Sequence, residues 1–179
     1  MLKVLKYPNA TLKKTSKPLK DVPQAIRDLA RAMFETMYVE NGIGLAAPQI
    51  GELIRLIIVD VPLVDPINEE KITSDPIALV NPEIKKESGF IEYEEGCLSC
   101  PELIVKVPRK SDIVVAFLDL EGKPCQIKAK GLKAVCIQHE IDHLNGTLLV
   151  DRLARLERDV YKSNRVRLVK DERERATIL

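Results

Sequence analysis

The sequence predicts an α+β fold in which antiparallel strands pack around a central helix, with one further helix towards each end of the chain. Apolar residues recur at steps of three and four between Ile26 and Met37, and again between Gly131 and Leu144, as they do in helices. Between these two segments lie short β-branched runs, at 54–61, 77–80, 103–107 and 113–120. Strands and helices do not alternate, so a parallel doubly wound sheet is not expected.

Turn residues mark where the predicted helices begin and end. The first helix opens after Asp21-Val22-Pro23 and ends at Asn41-Gly42, and the central helix ends at Asn145-Gly146. A third helical segment begins near Asp151 and continues as a charged C-terminal helix or tail over about 150–179. A chain of 179 residues that is 45% hydrophobic has the size of a single domain, which we expect to span 1–179.

The composition and charge of the chain argue against several classes of protein. The formal net charge is +1 and no long block of one sign precedes the C-terminus, which argues against a dedicated nucleic-acid binder. We expect no membrane association, since the N-terminus lacks a signal-peptide pattern and no apolar stretch could span a bilayer. The four cysteines form no disulfide-dense pattern, and together these features predict a cytoplasmic protein.

Both histidines of the chain fall in one short motif, His139-Glu140-Ile141-Asp142-His143. On a helix, residues four apart lie one turn above each other, so both imidazoles can reach one cation while Glu140 acts as a general base towards water. A polar surface turn is the alternative. It does not explain why both histidines continue the apolar stripe of the central helix.

A catalytic site of this kind needs a third protein ligand, and the residues leave its identity open. Leu149 stands where the metzincin proteases have their third histidine. An HExxH zinc metalloprotease of the gluzincin type would use a later glutamate and is the alternative function. The glutamates available for that role are Glu157, Glu172 and Glu174. The cysteine candidates are Cys136, one turn before His139, and the Cys-x-x-Cys pair Cys97 and Cys100.

A glycine-rich segment, Gly42-x-Gly44-x-x-Ala47, is similar to a dinucleotide-binding fingerprint. That fingerprint requires a strand before it and a helix after it. Here a helical pattern precedes the segment and Pro48 follows it, so no nucleotide cofactor is expected.

Three segments together resemble the signature motifs of the peptide deformylases, in the order of that family. They are Gly42-Ile43-Gly44-Leu45-Ala46-Ala47-Pro48-Gln49, Glu95-Gly96-Cys97-Leu98-Ser99 and Gln138-His139-Glu140-Ile141-Asp142-His143-Leu144. The resemblance implies a hydrolase that removes the formyl group from the N-terminal formyl-methionine of nascent polypeptides. It also implies a metal site open at its fourth position and formed by Cys97, His139 and His143.

The resemblance further assigns roles to residues around the metal. Glu140 would act as general base and then general acid, and the Gln49 amide with the Leu98 backbone N–H would stabilise the charge on the formyl oxygen. Gly44 would let the backbone approach the substrate. The methionine side chain would enter a pocket lined by Ile43, Gly44, Tyr93, Leu132, Val135 and Cys136.

The resemblance points to Fe(II) as the metal in the cell, while the sequence leaves Zn(II), Ni(II) and Co(II) open. Bacterial members often carry an arginine near Ile104 that contacts the peptide beyond methionine, so this contact is in doubt here. Similarity to bacterial members also suggests that the C-terminal helix docks near the ribosomal exit tunnel. A solvated, ion-paired helix is the alternative.

Overall fold

The computed structural model describes residues 1–64 and 72–177, and the side chains of 1–62 and 73–170. Its α-helices are α1 (Gln24–Val39), α2 (Gly131–Leu144) and α3 (Arg155–Thr177). Its strands are β1 (Gly44–Ala46), β2 (Leu56–Val59), β3 (Leu63–Val64), β4 (Ile72–Thr73), β5 (Ile77–Ser88), β6 (Ile91–Cys97), β7 (Cys100–Arg109), β8 (Asp112–Leu118) and β9 (Pro124–Lys130). Short 3-10 turns lie at Ala10–Lys13, Ala47–Ile50 and Leu149–Arg152.

All strand pairs in the described sheets are antiparallel. Five strands form the main sheet in the order β1-β2-β5-β8-β9, whereas β6 pairs with β7, and β3 pairs with β4. The α+β class with antiparallel strands and three helices is therefore confirmed.

Helix α2 lies at the centre of the molecule, as the fold prediction required. Ile137 and Leu144 are fully buried in the core that the main sheet builds around Ile57 and Val115. Another side of α2 faces the β6–β7 hairpin, where His143 contacts Cys97. Because α2 packs on two sides, most of its residues are buried rather than one stripe.

Several strands are longer than predicted or were not predicted, for identifiable reasons. Strand β5 continues beyond Val80 through a bulge in which Asn81 has a φ of 52° and Pro82 follows, a pair of residues that reads as a strand end. Strands β6 and β9 were missed because polar residues occupy most of their exposed positions. Strand β1 has only three residues, too few for a periodic pattern.

The C-terminal helix begins later than predicted and is attached to the β6–β7 hairpin. The 3-10 turn Leu149–Arg152 occupies the predicted start, and α3 itself begins at Arg155. The Tyr161 hydroxyl donates a hydrogen bond to the Pro101 carbonyl at 2.9 Å, and the Tyr161 ring stacks on Tyr7 with centroids 5.9 Å apart. None of the helices in the described part of the chain is long and apolar enough to cross a membrane.

Candidate metal centre

Three side chains from two elements bring their donor atoms together beside α2. The sulfur of Cys97, at the end of β6, and the imidazole nitrogens of His139 and His143 all lie within 4.8 Å of one another. Cys97 Sγ is 3.2 Å from His143 Nε2, and the two imidazole rings meet edge to face with centroids 5.0 Å apart. The hairpin thus supplies one donor atom, and successive turns of α2 supply the other two.

A buried carboxylate orients one of the histidines. Glu95 Oε2 lies 2.8 Å from His139 Nδ1, which leaves Nε2 of that ring for the donor cluster. Glu95 also accepts two hydrogen bonds from Arg109, at 2.7 and 2.9 Å, and both side chains are almost completely buried. Burial alone would raise the pKa of Glu95, but the bonds from Arg109 and His139 hold it below the ordinary value, so Glu95 is charged.

Arg109 connects this pair to the other side of the helical motif. Its Nη1 donates to Asp142 Oδ2 at 2.8 Å, and Arg152 Nη2 donates to the same oxygen at 2.7 Å. Burial would lower the pKa of Arg109, yet Glu95 and Asp142 raise it above the ordinary value. Strands β6 and β7 are thereby joined to α2 through a single guanidinium.

The two histidines differ in their electrostatic surroundings. Burial lowers the pKa of His143 well below its ordinary value, so this ring is neutral and its nitrogen lone pair can bind a cation. Burial has the same tendency at His139, but the hydrogen bond to Glu95 and the nearby Glu140 and Glu95 charges raise its pKa.

Glu140 lies beside the donor cluster and is 4% exposed. Burial raises the pKa of its carboxyl group to about 7, so it can change protonation state near neutral pH. Its Oε2 atom has no hydrogen-bond partner among the described residues. A buried carboxylate oxygen without a partner is costly, and it fits a site that acts on a molecule entering from the cavity.

Gln49 is held by both ends of its side-chain amide. Oε1 accepts the Ala46 N–H at 2.7 Å, and Nε2 donates to the Ser99 hydroxyl at 3.2 Å. Nε2 also lies 3.9 Å from Cys97 Sγ, so its hydrogens face the donor cluster. This orientation follows from the short 3-10 turn at Ala47–Ile50, which turns Gln49 inwards.

Gly44 is required by a close approach between β1 and α2. A Cβ atom at this position would lie 2.5 Å from Glu140 Oε1 and 2.7 Å from Cys136 Sγ, which no side chain tolerates. The glycine therefore makes room for Glu140 as well as forming part of the cavity wall.

One cavity of about 430 Å³ brings together nearly all the residues singled out in the sequence. Its wall contains Ile43, Gly44, Gln49, Tyr93, Cys97, Leu98, Leu132, Val135, Cys136, His139 and Glu140. His143 is 1% exposed and lies behind this wall, in contact with Cys97. The wall is mostly apolar, and its polar groups converge on the donor cluster.

Among the described residues, the other candidates for the third ligand are not part of the donor cluster. Cys136 points its thiol at the Ile43 carbonyl, 3.5 Å away. Glu157 is exposed at the start of α3 and accepts the Ala154 N–H. Glu172 and Glu174 are outside the side chains that the structure describes.

The donor set fits a divalent transition-metal ion. One sulfur and two imidazole nitrogens suit zinc, iron, cobalt or nickel better than the hard ions magnesium and calcium. A buried sulfur lying directly against a neutral imidazole is a ligand arrangement that a cation would complete, and the carboxylate behind His139 is a frequent companion of metal-bound histidine.

Sequence analysis missed Glu95, Arg109, Asp142 and Arg152 as contributors to the site. A signal for two of them was present. Glu95 lies two positions before Cys97 and so on the same face of a strand, and Arg109 continues the alternation of Leu103, Val105 and Val107. Neither signal identifies the partner across the hairpin.

Comparison with known proteins agrees with this geometry. The family model for polypeptide deformylase matches residues 1–159. A peptide deformylase of Hydrogenovibrio crunogenus is 48% identical over 157 residues, which cover 88% of each chain.

Solved structures show the same fold. Peptide deformylase from Ehrlichia chaffeensis in complex with actinonin is 38% identical and has a TM-score of 0.84, over 92% of this chain and 95% of that one. A class I type b peptide deformylase from Acinetobacter baumannii with Met-Ala-Ser bound is 35% identical, with a TM-score of 0.77 over 86% and 98% of the respective chains. The matches cover most of this chain at well above 30% identity, and the chain therefore belongs to the polypeptide deformylase family.

Proposed function

We propose that the protein hydrolyses the formyl group from the N-terminal formyl-methionine of nascent polypeptides and releases formate. The observation that carries this proposal is the Cys97, His139 and His143 donor cluster at the cavity wall, with Glu140 beside it. An open three-ligand site next to a general base is the arrangement of a hydrolytic metal centre. The gluzincin alternative is not favoured. Glu157 is the candidate glutamate whose side chain the structure describes, and it is not part of the donor cluster.

A divalent cation held by Cys97, His139 and His143 would lower the pKa of water and polarise a carbonyl group. Glu140 accepts a proton from the attacking water and later delivers it to the departing amine, a dual role that suits a pKa of about 7. Gln49 Nε2 and the Leu98 backbone N–H donate to the formyl oxygen as negative charge develops on it. The fixed Gln49 amide requires no reorganisation to do so.

The apolar side of the cavity is proposed to bind methionine. Leu132, Val135 and Cys136 come from α2, Ile43 directly precedes β1, and Tyr93 comes from β6. The Acinetobacter baumannii structure holds Met-Ala-Ser, a peptide that begins with methionine. Beyond this pocket, Ile104 is 65% exposed beside Gly96 of the cavity wall, so an aliphatic side chain borders the path of the following residues.

Fe(II) is the metal we propose for the cell, with Zn(II), Ni(II) or Co(II) able to replace it, because all four accept one thiolate and two imidazoles.

We further propose a cytoplasmic location, where formylated nascent chains are made. Residues 1–179 are proposed to act as one catalytic domain. In support, the N-terminal segment reaches the site through the Leu5 N–H bond to the Gln49 carbonyl at 2.7 Å, and α3 reaches it through Tyr161.

Formate release from a formyl-methionyl peptide and from its acetyl counterpart tests the proposed activity directly. We expect release of formate from the first peptide and no release of acetate from the second, because the larger acyl group must fit against the fixed Gln49 amide. Cleavage of internal peptide bonds without formate release would instead support a metalloprotease.

Glu140→Gln should lower kcat by on the order of a hundredfold or more, because the variant cannot move the proton, while the metal content stays at one ion per chain. Turnover and elemental analysis of the same preparation would check this. Glu157→Gln is the matched control and should change neither quantity.

Cys97→Ser should lower the metal content, which Glu140→Gln leaves unchanged. It removes a proposed ligand, so the metal should dissociate more readily. If Glu140→Gln retained full turnover, Glu140 would not be the general base.

Glu95→Gln should weaken metal affinity by about 10–100-fold and lower the free energy of unfolding by about 3–5 kcal/mol, since it leaves the buried Arg109 charge partly uncompensated. Metal titration and urea denaturation measure the two effects. Glu94→Gln is the control on the same strand, because its ion pair with Lys106 is exposed and contributes little. Equal behaviour of the two variants would contradict an orienting role for Glu95.

We also propose that α3 docks on the ribosome through its exposed basic side chains. Tyr161 stacks on Tyr7 and the buried Arg165 donates to the Tyr7 carbonyl, while Leu156 and Val160 remain exposed. Reversal of three exposed charges should reduce co-sedimentation with ribosomes, most clearly at low salt. The variant is Arg155→Glu, Lys162→Glu and Arg167→Glu. Its control of equal charge change, on the main sheet and the turn before β9, is Lys85→Glu, Lys123→Glu and Lys128→Glu. Equal losses in both variants would contradict a specific role for α3.

A further inference from the structure

Cys100 is a buried thiol that the proposed hydrolysis does not use. It is 1% exposed and packs in an apolar cluster with Tyr7, Leu148 and Val150. It does not line the cavity, whereas Cys97 does. All four cysteines of the chain are free.

The hairpin places Cys100 directly opposite Cys97. The two residues are paired across β6 and β7, and only the two-residue turn Leu98-Ser99 separates them. Cys97 also packs against the apolar cluster that contains Cys100. The first and last Cα atoms of such a turn lie within about 7 Å of each other, and disulfides form at Cα separations of about 4.4–6.8 Å. The pair can therefore be bridged without moving the strands apart.

We propose that Cys100 is a resolving thiol, which converts peroxide-oxidised Cys97 into a reversible Cys97–Cys100 disulfide. This inference goes beyond the deformylase activity. It rests on the proposed function only for its consequence, which is loss of the thiolate ligand.

The chemistry takes place in two steps. The Cys97 sulfur, which faces the cavity, attacks hydrogen peroxide as a thiolate: an S–O bond forms, the O–O bond breaks, and the departing hydroxide takes a proton from solvent and leaves as water. Cys97 is then a sulfenic acid. The Cys100 sulfur attacks the Cys97 sulfur, the S–S bond forms, the S–O bond breaks, and the departing oxygen takes the Cys100 proton to leave as a second water.

Burial explains why the two cysteines take different roles. Peroxide reaches Cys97 through the cavity, and the apolar cluster around Cys100 keeps this thiol from direct oxidation. Rapid capture by Cys100 would prevent further oxidation of Cys97 to the sulfinic and sulfonic acids, which thiols do not reverse. The disulfide leaves two imidazoles as ligands, which are insufficient to retain the metal.

The test treats the zinc-loaded protein with a small excess of hydrogen peroxide, because zinc has no redox chemistry of its own. Trypsin releases both cysteines in one peptide, residues 87–106. We expect this peptide to become lighter by two hydrogen atoms, two of the four thiols to disappear, and zinc to be released. Dithiothreitol should reverse all three changes.

Variants separate the pairing from simple oxidation. In Cys100→Ser the same peptide should instead gain two or three oxygen atoms on Cys97, and dithiothreitol should not remove them. Cys100→Ala gives a second test if the serine variant does not fold in its apolar surroundings. Cys125→Ser, on β9, is the control and should behave like the unchanged chain.

Irreversible oxidation of Cys97 to the same extent with and without Cys100 would overturn the proposal. A disulfide that forms while zinc stays bound would leave the resolving role of Cys100 intact and contradict Cys97 as a metal ligand. Absence of formate release would count against the proposed function alone, because the mass of the peptide does not depend on activity.

Discussion

The buried guanidinium of Arg109 is the interaction on which the site depends most. It joins Glu95 on β6 to Asp142 on α2, so that one cation holds the hairpin carrying Cys97 against the helix carrying both histidines. Two carboxylates and one guanidinium buried together are stable only while all the partners are present, and breaking such a set costs about 3–5 kcal/mol. The relative position of the donor atoms thus depends on this buried charge network as well as on the apolar packing of α2.

The same network gives the two histidines different electrostatic surroundings. Glu95 fixes the ring orientation of His139 and raises its pKa, whereas His143 is neutral because it is buried. Burial raises the pKa of the nearby Glu140 carboxyl group to about 7, where it can act both as a general base and as a general acid. The absence of a side chain at Gly44 leaves room for this carboxylate.

The fold class and the residues of the candidate donor cluster could be predicted from the sequence, but the supporting network could not. The four-residue spacing of His139 and His143 on a helix indicates that they share a site, whereas Cys97 is indicated only by resemblance to a family. Periodicity shows that Arg109 faces inwards, yet it cannot show that Glu95 is its partner, because the register of a hairpin with a bulge is set by its turn and not by local composition. For the same reason Asn81-Pro82 appeared to end β5, where the strand in fact continues through a bulge. The start of α3 was misplaced because residues 149–152 adopt a 3-10 turn, which has no distinct periodic signal over four residues.

The turn Leu98-Ser99 is only two residues long, and both of its residues and the preceding Cys97 line or support the site. Cys97 donates its sulfur, Leu98 offers its backbone N–H, and Ser99 holds the Gln49 amide through a hydrogen bond. A change in the length or twist of this segment would displace the metal ligand and the groups aimed at the substrate together. If these residues act as proposed, metal preference and substrate orientation are coupled through this turn, and a substitution that alters one is expected to alter the other.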